Sequence, residues 1–476
     1  MYKSTIFRKR DILQLTLLLL LLLPLQLEAR DPGKKLARFL EREILTELPA
    51  GSRLQLLVRD TRSGEILFSR YGDENCVPAS TVKLLTAGMA CETLGTDFRF
   101  RTHLFSDINS VNNDTLYGDI HLVADGDPTL TSDDLERLTA TLARQLRGAE
   151  GGRLQLDGDL VMETAIFDTL FRGPGWMWDD GDYSWAADIT PLIVNRNCVG
   201  LEFRNSEYGK RFYWLPALEL YPLEWTDGRT VRRRDGNHFE IGNRVYGQEP
   251  VTFVRNLLQP QQAHGRAVLQ LLAEQGITVN GELRTDTSSD SLQTDSGTVH
   301  YSAPLGELLQ EMLRRSNNLY AEALFKRCAA AATGEPGSWS GASHLLQSWM
   351  ADTLGLADNG QIVDGSGMSR YNLISPQLLT NMLFLYQLEP WFNEFRTALP
   401  VMGQQGTVIN RKLDLPGTIV RVKTGSLRNH KLITGYLEQD GKAGLIFFIN
   451  IDGYTESHQE VIRLQDRIIS YLAEMK

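Results

Sequence analysis

Apolar residues recur at helical spacing through "KKLARFLEREILTEL" (34–48), predicting a helix near the start of the chain. "RLQLLVRD" and "GEILFSR" follow, two strand patterns joined at "TRSG" as a hairpin. "VPASTVKLLTAGMA" (77–90) then reads as a helix beginning just after Pro78. At the other end of the chain "TIVRVKTGSL", "KLITGYLEQ" and "AGLIFFIN" predict three successive strands. A last helix starts near Glu456, with Val461, Leu464, Ile468 and Leu472 on one face. Terminal helices over an antiparallel sheet drawn from both ends of the chain make one α/β (α+β) domain.

Between these ends the texture changes. From 96 to 250 short strand patterns and turn signals dominate, as in "LYGDIHLVADGDP" and "LQLDGDLVMET", with few long helical patterns. The polar run "RTDTSSDSLQTDSGTVHYSAP" (284–304) reads as a linker. "LGELLQEMLRRSNNLYAEALFKRCAAAA" then restores helical periodicity. The expected organisation is a leader over 1–29, a first domain part over 32–95, a mostly β insertion of one or two small domains over 96–297, and a second domain part over 298–476.

A chain of 476 residues exceeds what one core serves, which agrees with more than one domain. A net charge of −10 argues against nucleic acid as a partner, since phosphate binding needs a basic surface. The local exception, "RTVRRRDG" (229–236), has no interleaved aromatics and reads as a solvated turn. At the N-terminus Lys3, Arg8, Lys9 and Arg10 precede an apolar run from Ile12 to Leu27. That is the pattern of an export leader, too short for a bilayer-spanning helix of about 20 residues. Cleavage is expected near Ala29, with an uncleaved anchor left open because Leu27 is a poor residue two positions before it. The mature chain is expected in the periplasm or cell envelope. Four cysteines (Cys76, Cys91, Cys198, Cys328) allow up to two disulfides or four buried thiols, and without a CxxC pair a zinc cluster is not indicated.

The chemistry gathers around Ser80 and Lys83. Three residues along a helix put both on one face, within reach of a shared hydrogen bond. A serine hydroxyl needs a base to become a nucleophile, and a lysine serves only if burial or a nearby cation depresses its pKa. Val82, Leu84 and Leu85 provide apolar shelter, and the helix start adds N–H groups suited to an oxyanion. Ser-x-x-Lys alone is weak: a capping serine and a lysine reaching to solvent would look the same. Two companions strengthen it. Ser316-Asn317-Asn318 supplies a Ser-x-Asn in the helical region, a pattern that Ser110-Val111-Asn112 also matches in a polar turn. Lys423-Thr424-Gly425 lies inside a strand, where a glycine marks close approach by a ligand or another backbone.

Three such motifs in this order resemble the penicillin-recognising serine acyl-transferases, the group of penicillin-binding proteins and serine β-lactamases. With 236 positions between Ser80 and Ser316, the chain resembles the D-alanyl-D-alanine carboxypeptidase/endopeptidases of the penicillin-binding-protein-4 type, which carry an insertion there. "LVADGDPTL" (122–130), "PGWMWDD" (174–180), "VDGSGMSRYN" (363–372) and "GQQGT" (403–407) fit the same resemblance. It implies a β-lactamase/transpeptidase-like fold and a covalent acyl-enzyme at Ser80. Lys83 would be the base, Ser316 a proton relay and Asn318 a holder of Lys83 and the substrate backbone. Lys423 and Thr424 would meet the substrate carboxylate beside Gly425, and the N–H groups of Ser80 and Ser426 would form the oxyanion hole. Asp180, with Asp179 as competitor, Arg370 and Leu427 would line an outer pocket for the stem-peptide side chain. Peptidoglycan stem peptides are the implied substrates and β-lactams the implied covalent inhibitors. No metal or organic cofactor is implied, and a homodimer is left open.

A β-lactamase would share the motifs, but no Glu-x-x-Leu-Asn follows Ser316 to activate deacylating water, and the insertion is foreign to compact lactamases. A wall-binding scaffold with an inactive site fits poorly with three intact motifs. His430, next to the third motif, suits a rim or structural role better than that of a triad base.

Overall fold

Strand Arg53–Asp60 is buried from Leu54 to Arg59, so it must be covered on both faces. The computed structural model describes residues 32–148, 152–206, 209–215, 221–228, 230–242, 251–288, 296–353, 360–439 and 442–475. The expected leader over 1–29 lies outside them. The chain forms two compact units. One comprises the described residues of Met1–Glu74, Ser375–Phe384 and Val401–Lys476; the other comprises Asn75–Ile374 and Leu385–Pro400.

In the first unit five antiparallel strands run in the order Thr418–Leu427, His430–Gln439, Lys442–Asp452, Arg53–Asp60 and Ile66–Arg70. Both ends of the chain therefore contribute to one sheet, as the patterning predicts. Helix Pro32–Phe39, the wider turn Leu40–Ile44 and helix His458–Glu474 cover one face. Leu36, Leu40 and Ile44 meet Leu54, Leu56 and Val58, with Val461, Leu464, Ile468 and Leu472 completing that core. Asn450 donates to Gln55 Oε1 (2.9 Å), and buried Glu438 pairs with Arg421 (3.2 Å).

In the second unit helix Val82–Leu94 is buried at every position from Val82 to Cys91 and packs against Leu305–Arg314 and Asn318–Thr333. A Cβ on Gly88 would lie 2.2 Å from the Tyr386 hydroxyl, so a glycine is needed where that ring crosses the helix. The inserted segment is built on sheets. One runs Leu283–Asp286, Leu160–Glu163, Ile120–Val123, Arg101–Ser106, Thr298–Tyr301, and a second runs Ile277–Val279, Leu154–Asp157, Thr115–Tyr117, Ser110–Asn112. Two smaller three-stranded sheets share a core of Val199, Leu201, Val231, Phe239 and Ile241.

The insertion also holds two long helices, Ser132–Arg147 and Pro260–Glu274, more helix than its pattern suggested. They serve as crossovers, which parallel strand pairs such as Ile120–Val123 with Leu160–Glu163 require. The expected linker at 284–304 carries strand at both ends, Leu283–Asp286 and Thr298–Tyr301; residues 289–295 lie outside the described set. The 229–236 stretch is not a free turn: Val231–Arg233 is a strand, Arg233 donates to Asn256 (2.9 Å) and Arg234 pairs with Glu240 (2.8 Å). Strands Arg101–Ser106 and Thr298–Tyr301 pair antiparallel, so the entry and exit of this segment are neighbours. On that ground we propose 96–297 as the inserted unit. All four cysteines are buried free thiols. No helix among the described residues is long and apolar enough to cross a membrane.

Candidate active site

The Ser80 helix begins with a tight turn, Ala79–Thr81, before α-helix proper starts at Val82. Ala79 is held at φ +48°, a strained value for a residue with a side chain. Gly367 explains how it is held, because a Cβ there would lie 1.8 Å from the Ala79 carbonyl oxygen. One turn on, Lys83 is fully buried. Its Nζ lies 3.1 Å from Ser80 Oγ, 2.8 Å from Asn318 Oδ1 and 2.7 Å from the Ser366 carbonyl. Burial lowers the amine's pKa to about 7, although Glu322 and Asp364 act to raise it. An amine that is substantially neutral at neutral pH, touching a half-buried hydroxyl, can take that hydroxyl's proton.

The second motif owes its place to a break in helix. Leu305–Arg314 stops, Ser316 adopts φ +57°, and Asn318 opens the next helix, with Asn317 capping it through Tyr320 N. Asn318 Oδ1 accepts from Lys83, and its Nδ2 donates to the Trp185 carbonyl (2.9 Å). The structure thus brings Ser80, Lys83 and Asn318 together, with Ser316 two residues before Asn318 in the same break.

Two residues to which the motifs assign no role, Glu322 and Asp364, complete the cluster. Glu322, fully buried one turn after Asn318, accepts from Gly365 N (3.0 Å), Ser366 N (2.8 Å) and Trp339 Nε1 (2.8 Å). Those bonds fix the Ser366 carbonyl on Lys83. Burial first, and then Asp364, push the Glu322 carboxyl up to about 7 against these three donors. Asp364 closes the loop on itself through Gly367 N, Ser369 N and Asn372 Nδ2, and accepts from Trp176 Nε1 at 3.1 Å. A signal existed: Asn318, Glu322 and Lys326 recur every four residues in a mainly apolar helix, a polar stripe of which Glu322 and Lys326 are fully buried.

Asp180 ends the short turn Trp178–Asp180, and its carboxylate accepts from Met177 N (2.9 Å). Burial raises its pKa, neighbouring Asp179 adds to the rise, and the charges of Arg172 and Arg370 oppose it. Arg370 is exposed on the loop that Asp364 organises, and Asp179 is exposed.

The third motif belongs to the other unit, on the edge strand Thr418–Leu427. Lys423 is fully buried and donates to the Thr424 carbonyl (2.9 Å). Thr424 Oγ1 lies 3.0 Å from Thr407 Oγ1, which gives the "GQQGT" stretch a contact with the motif. Gly425 is buried, Leu427 is half-buried, and exposed Ser426 accepts from Lys431 Nζ (2.9 Å). His430 is buried opposite Leu427 in the ladder.

The sequence profile of the D-Ala-D-Ala carboxypeptidase 3 (S13) family matches residues 40–474. The D-alanyl-D-alanine carboxypeptidase of Actinomadura sp. (strain R39) is 30% identical over 508 aligned residues, covering 95% of this chain and 89% of that one. The crystal structure of penicillin binding protein 4 (dacB) from Haemophilus influenzae superposes with a TM-score of 0.78 at 23% identity, covering 92% of this chain and 99% of that one, so the two share a fold. The same Haemophilus protein complexed with a β-lactam superposes with a TM-score of 0.73 at 22% identity, over 92% and 99% of the two chains. The chain is a D-Ala-D-Ala carboxypeptidase belonging to the D-Ala-D-Ala carboxypeptidase 3 (S13) family of peptidases.

Proposed function

We propose that this chain cleaves the terminal D-Ala–D-Ala bond of peptidoglycan stem peptides, and the corresponding cross-links, through an acyl-enzyme on Ser80. The observation that carries the reading is the buried Lys83 amine, 3.1 Å from Ser80 Oγ. In the scheme Ser80 Oγ attacks the scissile carbonyl while Lys83 takes its proton. The Ser80 N–H, at its helix start, faces the tetrahedral oxyanion, and the second N–H is assigned to Ser426 on the family resemblance. Collapse expels the D-alanine amine, which receives a proton through the Ser316 hydroxyl. Water then releases the acyl group and restores the hydroxyl. Asn318 holds Lys83 and the substrate backbone. Lys423 and Thr424, flanking Gly425, are assigned to the substrate's terminal carboxylate on the family resemblance. The scheme calls for no metal or organic cofactor.

A β-lactam presents a strained amide to the same oxygen and should stay attached. Labelled penicillin is therefore expected to add one adduct to the parent protein and none to Ser80→Ala, read by intact mass; an adduct on the variant would refute the assignment of the nucleophile. With its N-terminal leader pattern the chain is proposed to act in the periplasm or cell envelope, in wall maturation.

Asp180, together with Arg370 of the same unit, is proposed to receive the stem-peptide side chain, and Leu427 is assigned to that role on the family resemblance alone. Asp180→Ala should lower kcat/KM by roughly 10- to 100-fold on substrates with a free side-chain amine, the scale of a lost charged hydrogen bond. Substrates whose amine is acetylated should be turned over as before. Equal losses on both would discard the specificity role.

A further inference from the structure

Three parallel strands in the Asn75–Ile374 unit end at one opening. Ile120–Val123 pairs in parallel with Leu160–Glu163, which pairs in parallel with Leu283–Asp286. In sheets of this kind ligands bind outside the carboxyl ends of the strands, where the loops lead into crossover helices. Here Val123 and Glu163, the last residues of two of these strands, line a cavity of about 500 Å³. The loop after Val123 is the Ala-Asp-Gly-Asp-Pro of "LVADGDPTL", a stretch that acyl transfer leaves without a task.

The lining separates by chemistry. Val123, Ala124, Ala165 and Ile166 are apolar. Arg327 is already engaged, bonded to Asp125 (2.9 Å) and lying 5.2 Å over the Phe98 ring. Glu163 is likewise occupied by His121 Nδ1 at 2.9 Å. Arg99 and Arg101 differ: both are exposed, and neither forms an ion pair among the described residues. Arg99 donates to the Ser302 carbonyl (2.7 Å). Arg101 Nη2 lies 3.3 Å from His103 Nδ1, and His103 Nε2 lies 2.7 Å from the Ser296 carbonyl. A carbonyl can only accept, so the ring proton sits on Nε2 and Nδ1 is left to accept from Arg101. Arg101 is thus oriented by a neutral ring rather than by a carboxylate. Tyr301, 57% exposed, stands opposite it in the ladder. Glu335 is an exposed carboxylate in the same lining.

We propose that this cavity is a second binding site, sharing no residue with the three motifs, for a carboxylate-bearing glycopeptide fragment of the cell wall. Arg99 and Arg101 supply guanidinium forks for its carboxylates, Glu335 a counter-charge for its amine, and Tyr301 a ring face for the apolar side of a sugar. The choice of ligand rests on reading the chain as a peptidoglycan carboxypeptidase; the cavity and its charges do not. A stem or glycan held there would keep the enzyme on the wall between turnovers at Ser80.

The test uses the whole protein acylated by penicillin, so that Ser80 is closed, titrated calorimetrically with a disaccharide tetrapeptide. One site is expected, with affinity weakened at least tenfold by Arg101→Ala and by Tyr301→Ala, while both variants acylate with penicillin at the parent rate. The free tetrapeptide should bind more weakly and respond to Arg101→Ala but not to Tyr301→Ala. Absence of binding, or affinities unchanged in both variants, overturns the assignment. Failure of the parent to acylate would overturn the functional reading instead, and the same titration on unmodified protein then decides the cavity.

Discussion

Lys83→Met is expected to fold and to acylate with penicillin roughly 10²–10⁴-fold more slowly than the parent, the range lost with a general base. Methionine fills a similar volume without a titratable group, so the buried helix should keep its packing. The pH dependence carries the sharper information. Only the unprotonated amine can accept the Ser80 proton, and burial places its pKa at about 7. Below that value the parent rate should therefore fall tenfold for each unit of pH, and above it the rate should level off. In Lys83→Met this acid limb should vanish along with most of the rate. Time courses of adduct formation by intact mass, across the neutral range, read both quantities. A variant that is slow yet retains the limb would place the titrating group elsewhere.

Gly367→Ala is expected to be nearly as damaging without touching any group that exchanges protons. Gly367 has φ +81°, and an added Cβ would lie 1.8 Å from the Ala79 carbonyl oxygen and 2.9 Å from Ser80 N. The left-handed backbone alone costs about 1–2 kcal/mol for a residue with a side chain. Both atoms it would strike are backbone, so relief requires moving the turn that carries Ser80. A displacement of that size at a nucleophile can cost on the order of 10²-fold in rate. Thermal unfolding and penicillin acylation should both register the change. Parent-like acylation by a destabilised variant would show that the loop supports the fold alone.

The sheet of the first unit was legible because its strands alternate or run apolar over five to eleven residues between clear turns. Ser80 and Lys83 were legible because helical spacing alone fixes their mutual distance. The Ser316 break was not: nothing in "RRSNNLYAE" announces a serine at φ +57° between two helices, since tertiary packing holds it there. Glu322 and Asp364 escaped for a related reason. Their roles depend on a loop and a helix 42 positions apart in sequence being brought together, which no local pattern encodes. Helix Pro260–Glu274 was obscured by Gln261, His264 and Gly265 on its buried face, whereas in Ser132–Arg147 the spacing of Leu135, Leu138 and Leu142 was itself a legible helical signal.

The four sequestered thiols offer a built-in reporter. Burial pushes Cys91, in the Ser80 helix, up to about 12, and drives Cys328, in the neighbouring helix, well above its ordinary value. Such groups are inert to alkylating reagents until the surrounding structure opens. Iodoacetamide uptake at these two positions therefore measures breathing of the nucleophile's own support. Slower uptake after penicillin treatment would reveal that the acylated enzyme is tighter than the resting one.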